Sequence, residues 1–458
     1  MTSVWRLNRG HAGPEMSRAY ALLAASYPDC RVLGFASGEM AGSWTAPPAW
    51  VAECARLTGP DGRVIADLAE TPLALWAFSP SFHGTVSLAE LQSHLASDSA
   101  HPRARPFHFR NQYRFWEPQW GFSLPHEART ALVEGAYNVD ITTRFEPGRL
   151  EMVEQVHAGT SGDSLLLVGS FDHPAQCGNG LAACLAGHEA LTRLRGRQTR
   201  LTYRMLSTVE IVGSVFYAAH AAAQASVREA LVLAGLGTAS PLTYQRSCSG
   251  GGGIDRILAH VLGHHHEPSK VVEFRMGGFN KDECAFEVPG VRIPCGVLMR
   301  HPIPNHGFED DTPETVDDET FERSVLILSR VIDLLEENSL LVPRFEGLPC
   351  LSHPSLDLYL SKPSGDPAGD PASPWGRLLA RLPDDTARAQ CAAVPGRAFA
   401  LLMTLTGALA DGRHTILDLA ERAGVPFAVA NAYVEMWVAK GLLHKEWVNC
   451  LGADQAAN

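Results

Sequence analysis

Four stretches of this chain carry residue types that do chemistry, and they lie far apart in the sequence. Asp172-His173-Pro174 is followed by Asn179. Glu210 stands in Val209-Glu210-Ile211, just ahead of Gly213 and Ser214. Asp282 and Glu283 precede Pro289-Gly290 and Pro294, and His306 is followed by the acidic run Glu309, Asp310, Asp311. Two imidazoles with carboxyl or amide oxygens form the donor set of a zinc hydrolase. Neutral imidazole nitrogens and oxygens bind Zn²⁺, and a carboxylate takes a proton from the bound water. Spacing alone is a weak pointer to a metal, because a lone His at a strand tip is most often solvated or hydrogen-bonded.

Three other groupings invite chemical readings that their surroundings do not favour. Cys177 in Gln176-Cys177-Gly178-Asn179-Gly180 stands before a helix, where a thiol's pKa can fall. The stretch resembles the Cys-Gly-Asn-Gly motif of diaminopimelate epimerase, but a second such Cys motif is missing, leaving at most a reactive thiol. His264, His265 and His266 are consecutive, and neighbours on a loop seldom converge on one ion. Ser249 to Gly253 leads into a helix whose N-terminus could cradle phosphate. It lacks the Lys-Ser/Thr of a P-loop, so a loop over the cleft is the favoured reading.

The elements that must position these residues follow from the hydrophobic pattern. Leu165 to Val168 is an apolar run short enough for a strand buried on both faces. Pro174 ends it, a polar turn follows, and Leu181 to Leu191 reads as a small-residue helix. In an open α/β sheet ligands sit at the carboxyl ends of strands, so His173 and Asn179 lie where chemistry is placed. Further strands are expected at 137–141, 151–156, 199–206, 229–233, 241–245, 271–275 and 293–299. Helices are expected at 14–27, 214–225, 253–262 and 313–337. This alternation predicts an α/β fold, a three-layer αβα domain with a mixed sheet. Residues 33–124, broken by Pro, Gly and Ser and dense in Trp and Phe, read as an inserted β-rich module. The α/β domain then takes 1–32 and 125–361, a Pro-Gly-Asp-Ser linker takes 362–374, and helices at 397–410, 415–423 and 426–439 with a strand at 442–448 read as a winged helix-turn-helix over 375–451.

Composition narrows the classes. At 458 residues the chain exceeds a single core. Its net charge of −12, and a helix starting at Pro426 without Lys or Arg to meet phosphate, argue against nucleic-acid binding. No stretch approaches a membrane span. Ten cysteines without a CxxC pair point to free thiols and a cytoplasmic setting. The terminal helices are then expected to dock or dimerise, giving a homo-oligomer.

The order of segments resembles a family of bacterial aminopeptidase-like proteins related to the zinc aminopeptidases, with an inserted β-rich module and a closing winged helix. The resemblance runs from about Ala19 to Trp447. It is carried by Ala36-Ser37-Gly38, Trp44 to Trp50, Trp120-Gly121-Phe122, Phe171 to Pro174 with Asn179, and Thr202-Tyr203-Arg204. It continues through Glu210, Gly213-Ser214, His260 to Leu262, Pro289-Gly290, Ile293-Pro294, Gly296 to Arg300, and His306 with Asp310.

That resemblance implies roles residue by residue. His173 is similar to the first metal-binding histidine, Asn179 stands at the position of the carboxylate that bridges two metals, and His306 resembles the last metal ligand. Glu210 resembles the general base. Asp282 falls in a loop beside the site and is expected to orient His306 or a substrate amine, with Asp172, Glu283, Asp310 and Cys177 in support. Several family positions have changed. Ile211 replaces a carboxylate, no Asp occurs in Gly235 to Thr238, and Cys284-Ala285 stands where the family has Arg-Gln. A two-metal site cannot be built from this set, and one Zn²⁺ ion is the most it implies, since Asn brings no charge to the metal. The expectation is an amide hydrolase acting on a peptide or amino-acid-bearing small molecule. The alternative is a catalytically silent relative that uses the same cleft for binding or assembly.

Overall fold

The computed structural model describes residues 1–275, 282–362 and 370–452. Residues 363–369 of the expected linker therefore lie outside the described residues. The chain forms two compact units, Met1–Ser249 with Val272–Leu326, and Gly250–Val271 with Ile327–Asn458.

The first unit is organised by a mixed sheet. Among the described residues its strands run in the order Cys30–Ala36, Arg149–His157, Thr202–Thr208, Ser164–Ser170, Val227–Ala234, Cys295–Arg300 and Leu242–Gln245. The four in the middle, 202–208, 164–170, 227–234 and 295–300, are mutually parallel, and their neighbours at 149–157 and 242–245 are antiparallel. Every residue of Ser164–Ser170 is buried, as the uninterrupted apolar run requires of a strand covered on both faces. Helices Pro14–Ser26, Leu181–Thr192 and Val212–His220 pack on the sheet, so the fold is α/β.

Close approach fixes two glycines at the strand tips. A Cβ at Gly180 would lie 2.0 Å from the Ser170 carbonyl oxygen, and one at Gly213 would lie 1.8 Å from Thr208 Oγ1. Both bring the chain back hard against the strand it has just left. That is why the residues between strand and helix, 171–180 and 209–211, are held at the carboxyl edge of the sheet.

A second, four-stranded antiparallel sheet has the order Val64–Asp67, Ala49–Thr58, Ala136–Glu146, Phe82–Ser87. Its core gathers Trp50, Phe78, Trp120, Phe122 and Tyr137. The strand Cys30–Ala36 belongs to the large sheet, and Ala136–Glu146 belongs to the small one.

In the second unit, helices Gly396–Ala408, Ile416–Ala423 and Phe427–Ala439 precede the strand Leu443–Trp447, which pairs antiparallel with Ser339–Pro343. Thr415 and Asp418 form a reciprocal capping box at one end of the middle helix, and Gly424, with φ 67°, ends it in the left-handed conformation. No single helix among the described residues is long and apolar enough to cross a membrane.

Candidate functional site

The parallel strands deliver the candidate residues to one place. His173 follows strand 164–170, Glu210 follows 202–208, and His301 and His306 follow 295–300. All four line a cavity of about 680 Å³. Apart from Gln176 its other walls are largely apolar, with Phe107, Phe109 and Tyr113 brought from the segment between the small-sheet strands and Met299 and Ile303 from the large sheet's last parallel strand and the loop after it.

His173 and Glu210 are in direct contact, with Nε2 3.3 Å from Oε2. Their backbones are unusual, since His173 has φ 69°, Ala175 φ 52° and Ile211 φ 62°. Non-glycine residues in this region are strained by about 1–3 kcal/mol each and persist only when the surroundings over-determine them. The surroundings are on hand. Arg9, fully buried, donates to the carbonyls of Val4 (2.6 Å), Phe171 (2.9 Å), His173 (2.8 Å) and Gln176 (3.0 Å). Asp311 accepts from the backbone N–H of Gly178 (2.6 Å) and Asn179 (3.3 Å) and from the Thr315 hydroxyl (3.0 Å). The Glu210 N–H donates to Asp172 Oδ1 at 3.0 Å.

Asp282 clamps the second turn. It accepts from Ser170 Oγ (3.0 Å), the Ile211 N–H (2.8 Å) and Ser214 Oγ (2.6 Å). Burial and then the Glu210 carboxylate push its pKa up to about 6, against those donors. None of these bonds reaches His306, so the expected orienting of His306 is replaced by support of the Glu210–Ile211 turn. The physical reason is that Asp282 is fully buried beneath that turn.

Behind His173 the polar groups run in a chain. Asp172 Oδ2 lies 3.8 Å from His173 Nε2 and 3.6 Å from His11 Nε2. Burial raises the Asp172 pKa, while burial and then His173 pull His11 down to about 3, opposed by Glu210 and the backbone of Gln112.

The remaining candidates fall elsewhere. Asn179 is buried and is held by its backbone, the N–H to Asp311 and the carbonyl from the Gly235 N–H (2.7 Å); it is not among the cavity-lining residues. Glu283 is buried, with Gln245 Nε2 at 3.4 Å. Asp310 is exposed and accepts through its carbonyl from Asn305 Nδ2. Cys177 is buried, and burial pushes its thiol up to about 12, which removes the reactive-thiol reading because the thiolate is the nucleophile.

The donor set does not fit a preformed zinc centre. Among the described residues no three His, Cys, Asp or Glu side chains form a group that could hold a metal ion. Of the residues assigned to the ion by resemblance, His173 on the turn and His306, exposed on the loop after strand 295–300, line the cavity, whereas Asn179 does not. Four contributors escaped sequence reasoning. Arg9 and His11 lie in a segment without periodicity, Asp311 was indistinguishable from its acidic neighbours, and Tyr113 sat among aromatics read as core.

Solved structures share this architecture. A structure from Clostridium acetobutylicum, provisionally described as a peptidase, superposes with a TM-score of 0.79 at 20% identity, covering 97% of this chain and 94% of that one. BSAP, a zinc aminopeptidase from Bacillus subtilis, superposes with a TM-score of 0.53 at 11% identity, over 72% of this chain and 93% of its own. The fold is therefore aminopeptidase-like. A Clostridium acetobutylicum protein provisionally described as a polysaccharide biosynthesis protein with an aminopeptidase-like domain is 28% identical over 268 residues, 58% of this chain and 60% of that protein, less than two thirds of its length. The chain belongs to the DUF4910 family, a domain of unknown function whose model matches residues 1–338.

Proposed function

We propose that this protein is an aminopeptidase-like hydrolase that cleaves an amide bond of a peptide or an amino-acid-bearing small molecule. The observation that carries the reading is the His173–Glu210 contact of 3.3 Å on the wall of a cavity that His306 also lines. Glu210 takes a proton from water as the water oxygen attacks the amide carbonyl, and that proton passes to the departing amine. His173 holds the carboxylate in position. The aromatic wall of Phe107, Phe109 and Tyr113 receives the side chain of the substrate. A metal has no part in these steps, because among the described residues no three His, Cys, Asp or Glu side chains form a site for one.

Two further parts of the reading concern setting. Ten free cysteines support a reducing, cytoplasmic environment. The helices of 375–451, read as a winged helix-turn-helix, serve assembly into a homo-oligomer, since helix Phe427–Ala439 carries no Lys or Arg to meet nucleic acid.

The test is turnover of aminoacyl-anilides and dipeptides by protein purified without a chelating column, with metal content measured in parallel. Glu210→Gln is expected to lower kcat by about 10²–10⁴-fold with melting unchanged. The lack, among the described residues, of a His, Cys, Asp or Glu group that could hold a metal favours a second reading, a catalytically silent relative that binds the same class of ligand. Saturable binding of an amino-acid amide with no turnover, in wild type and Glu210→Gln alike, would select it.

A further inference from the structure

Attack of water on an amide carbon moves the carbonyl electron pair onto oxygen. The oxyanion that forms is stabilised by a hydrogen-bond donor already in place, because such a donor need not reorganise as the charge appears. Among the described residues that line the main cavity there is neither Lys nor Arg. The donor must then be a neutral group on the wall, close to the turn that carries Glu210.

Tyr113 has the position, the stiffness and the protonation state that this task needs. It lines the cavity together with Glu210, and its phenol oxygen lies 3.4 Å from the Glu210 backbone carbonyl. That contact is long for an O–H donor, whose usual reach is about 2.7–2.8 Å. The carbonyl is satisfied in any case. The Val212 N–H donates to it at 2.7 Å across Ile211, which has φ 62° and ψ −60°. These are the angles of the rare three-residue γ-turn. The phenol O–H can therefore rotate to a better acceptor without leaving a carbonyl unpaired.

The ring itself is held. It stands edge-on to His11 and to Phe109, with centroids 5.0 and 6.2 Å away and interplanar angles of 84° and 87°. Its short helix, Arg110–Tyr113, is anchored by buried Asn111. Asn111 Nδ2 donates to the carbonyls of Ala77 (3.1 Å) and Gln119 (2.7 Å), and its Oδ1 accepts from the Gln119 N–H (3.1 Å). Burial, and then the carboxylates of Glu210, Asp172 and Asp282, raise the Tyr113 pKa, so the O–H stays protonated at neutral pH.

We propose, on the reading that Glu210 activates water, that Tyr113 is a further catalytic residue whose O–H donates a hydrogen bond to the carbonyl oxygen of the scissile amide. Glu210 takes the water proton, the C–O bond forms, and the carbonyl pair rests on an oxygen that accepts from Tyr113. The phenol keeps its proton throughout. When the pair returns to carbon the C–N bond breaks, and the proton on Glu210 goes to nitrogen. The inserted segment that carries Tyr113 thus supplies a reacting-centre contact as well as an apolar wall.

The test compares full-length wild type, Tyr113→Phe and Glu210→Gln on aminoacyl-anilides, with melting curves beside them. Tyr113→Phe keeps the ring and its packing. It is expected to lower kcat by about 10²-fold or more with KM within about threefold, the mark of a donor engaged in the transition state. Binding gives a second readout. An α-amino aldehyde, whose hydrate is tetrahedral, is expected to bind Tyr113→Phe about tenfold or more weakly than wild type, and the corresponding amino-acid amide about equally. The proposal alone is overturned if Glu210→Gln abolishes turnover while folded Tyr113→Phe keeps kcat within about threefold, or if Tyr113→Phe raises KM with kcat unchanged. Turnover that survives Glu210→Gln but falls in Tyr113→Phe overturns the assignment of the base and supports the donor. Wild type without turnover overturns both.

Discussion

The two sides of the main cavity are built on opposite plans. On one side His173 and Glu210 stand on turns whose left-handed residues include Ala175 and the β-branched Ile211, types that resist that conformation. Buried Arg9, Asp282 and Asp311 hold those turns through their backbone groups. On the other side His306 is exposed, and the left-handed residues around it are Asn305 and Gly307, which adopt that conformation readily. That loop is tied by the Phe107 N–H to the Gly307 carbonyl (2.7 Å) and by Arg105 to Glu309 (2.9 Å). Placement of the His173–Glu210 pair is thus fixed against backbone strain, whereas His306 stands between residues that take up their conformation without it, on a loop whose Gly307 N–H donates to Gln176 Oε1 (3.2 Å).

The comparison is broken most directly at Arg9. Arg9→Met keeps the apolar stem and leaves four buried carbonyls without their donor. The expected loss is about 3–5 kcal/mol, read from the urea midpoint. A loss under about 1 kcal/mol would mean that the turn carries its strain without the clamp.

The helix that leaves the first turn sharpens the contrast through pH. His188, on Leu181–Thr192, is buried between Gln155 Oε1 (2.8 Å) and Ser207 Oγ (2.9 Å), and burial pulls its pKa down to about 3. An unfolded histidine titrates near 6.5. Between those values the unfolded chain binds more protons, so stability rises with pH across the window and is lost as pH falls from about 6.5 toward 3. His188→Gln is expected to flatten that slope by a few kcal/mol, whatever it does to stability at neutral pH. Chemical denaturation at a series of pH values reads it, and an unchanged slope would place the acid sensitivity elsewhere.

A smaller effect is expected at Asp311. Burial raises its pKa, while the N–H groups of Gly178, Asn179 and Cys177 and the Thr315 hydroxyl oppose that rise. Asp311→Asn keeps the shape but replaces one acceptor oxygen by a donor facing those groups. A loss of about 1–3 kcal/mol is expected, again from the urea midpoint. Full retention of stability would show that the 177–179 turn is held from the Arg9 side alone.

Much of this arrangement was legible in the sequence, and what was legible follows a rule. The central strand could be read because Leu165 to Val168 is uninterrupted apolar sequence, and the carboxyl ends of parallel strands are where an α/β sheet presents its ligands. His173, Glu210 and His306 could therefore be placed on one cavity. The clamps could not be read, because Arg9 and Asp311 act on backbone carbonyls and N–H groups, and that interaction leaves no pattern in side-chain type. For a similar reason one of the two parts expected of Asp282, the orienting of His306, is not what its hydrogen bonds serve. A carboxylate near a histidine in the expected order looks like its partner, but burial beneath the Ile211 turn commits it to three donors there. Cys177 had the position of a reactive thiol without the exposure that reactivity needs.

His306 is the residue at which the two plans give opposite expectations for stability and function. It is exposed and lines the cavity, so His306→Ala removes little packing and is expected to change stability by no more than about 0.5 kcal/mol. If the proposed hydrolysis is right, the same substitution lowers kcat/KM by about tenfold or more, because the imidazole lines the cavity that Glu210 lines. Melting and turnover measured on one preparation decide the matter. Falling turnover at constant stability marks His306 as a group acting on the ligand from an adaptable wall. A stability loss above about 1 kcal/mol would show instead that this wall is as tightly built as the first, and the contrast between the two sides would no longer stand.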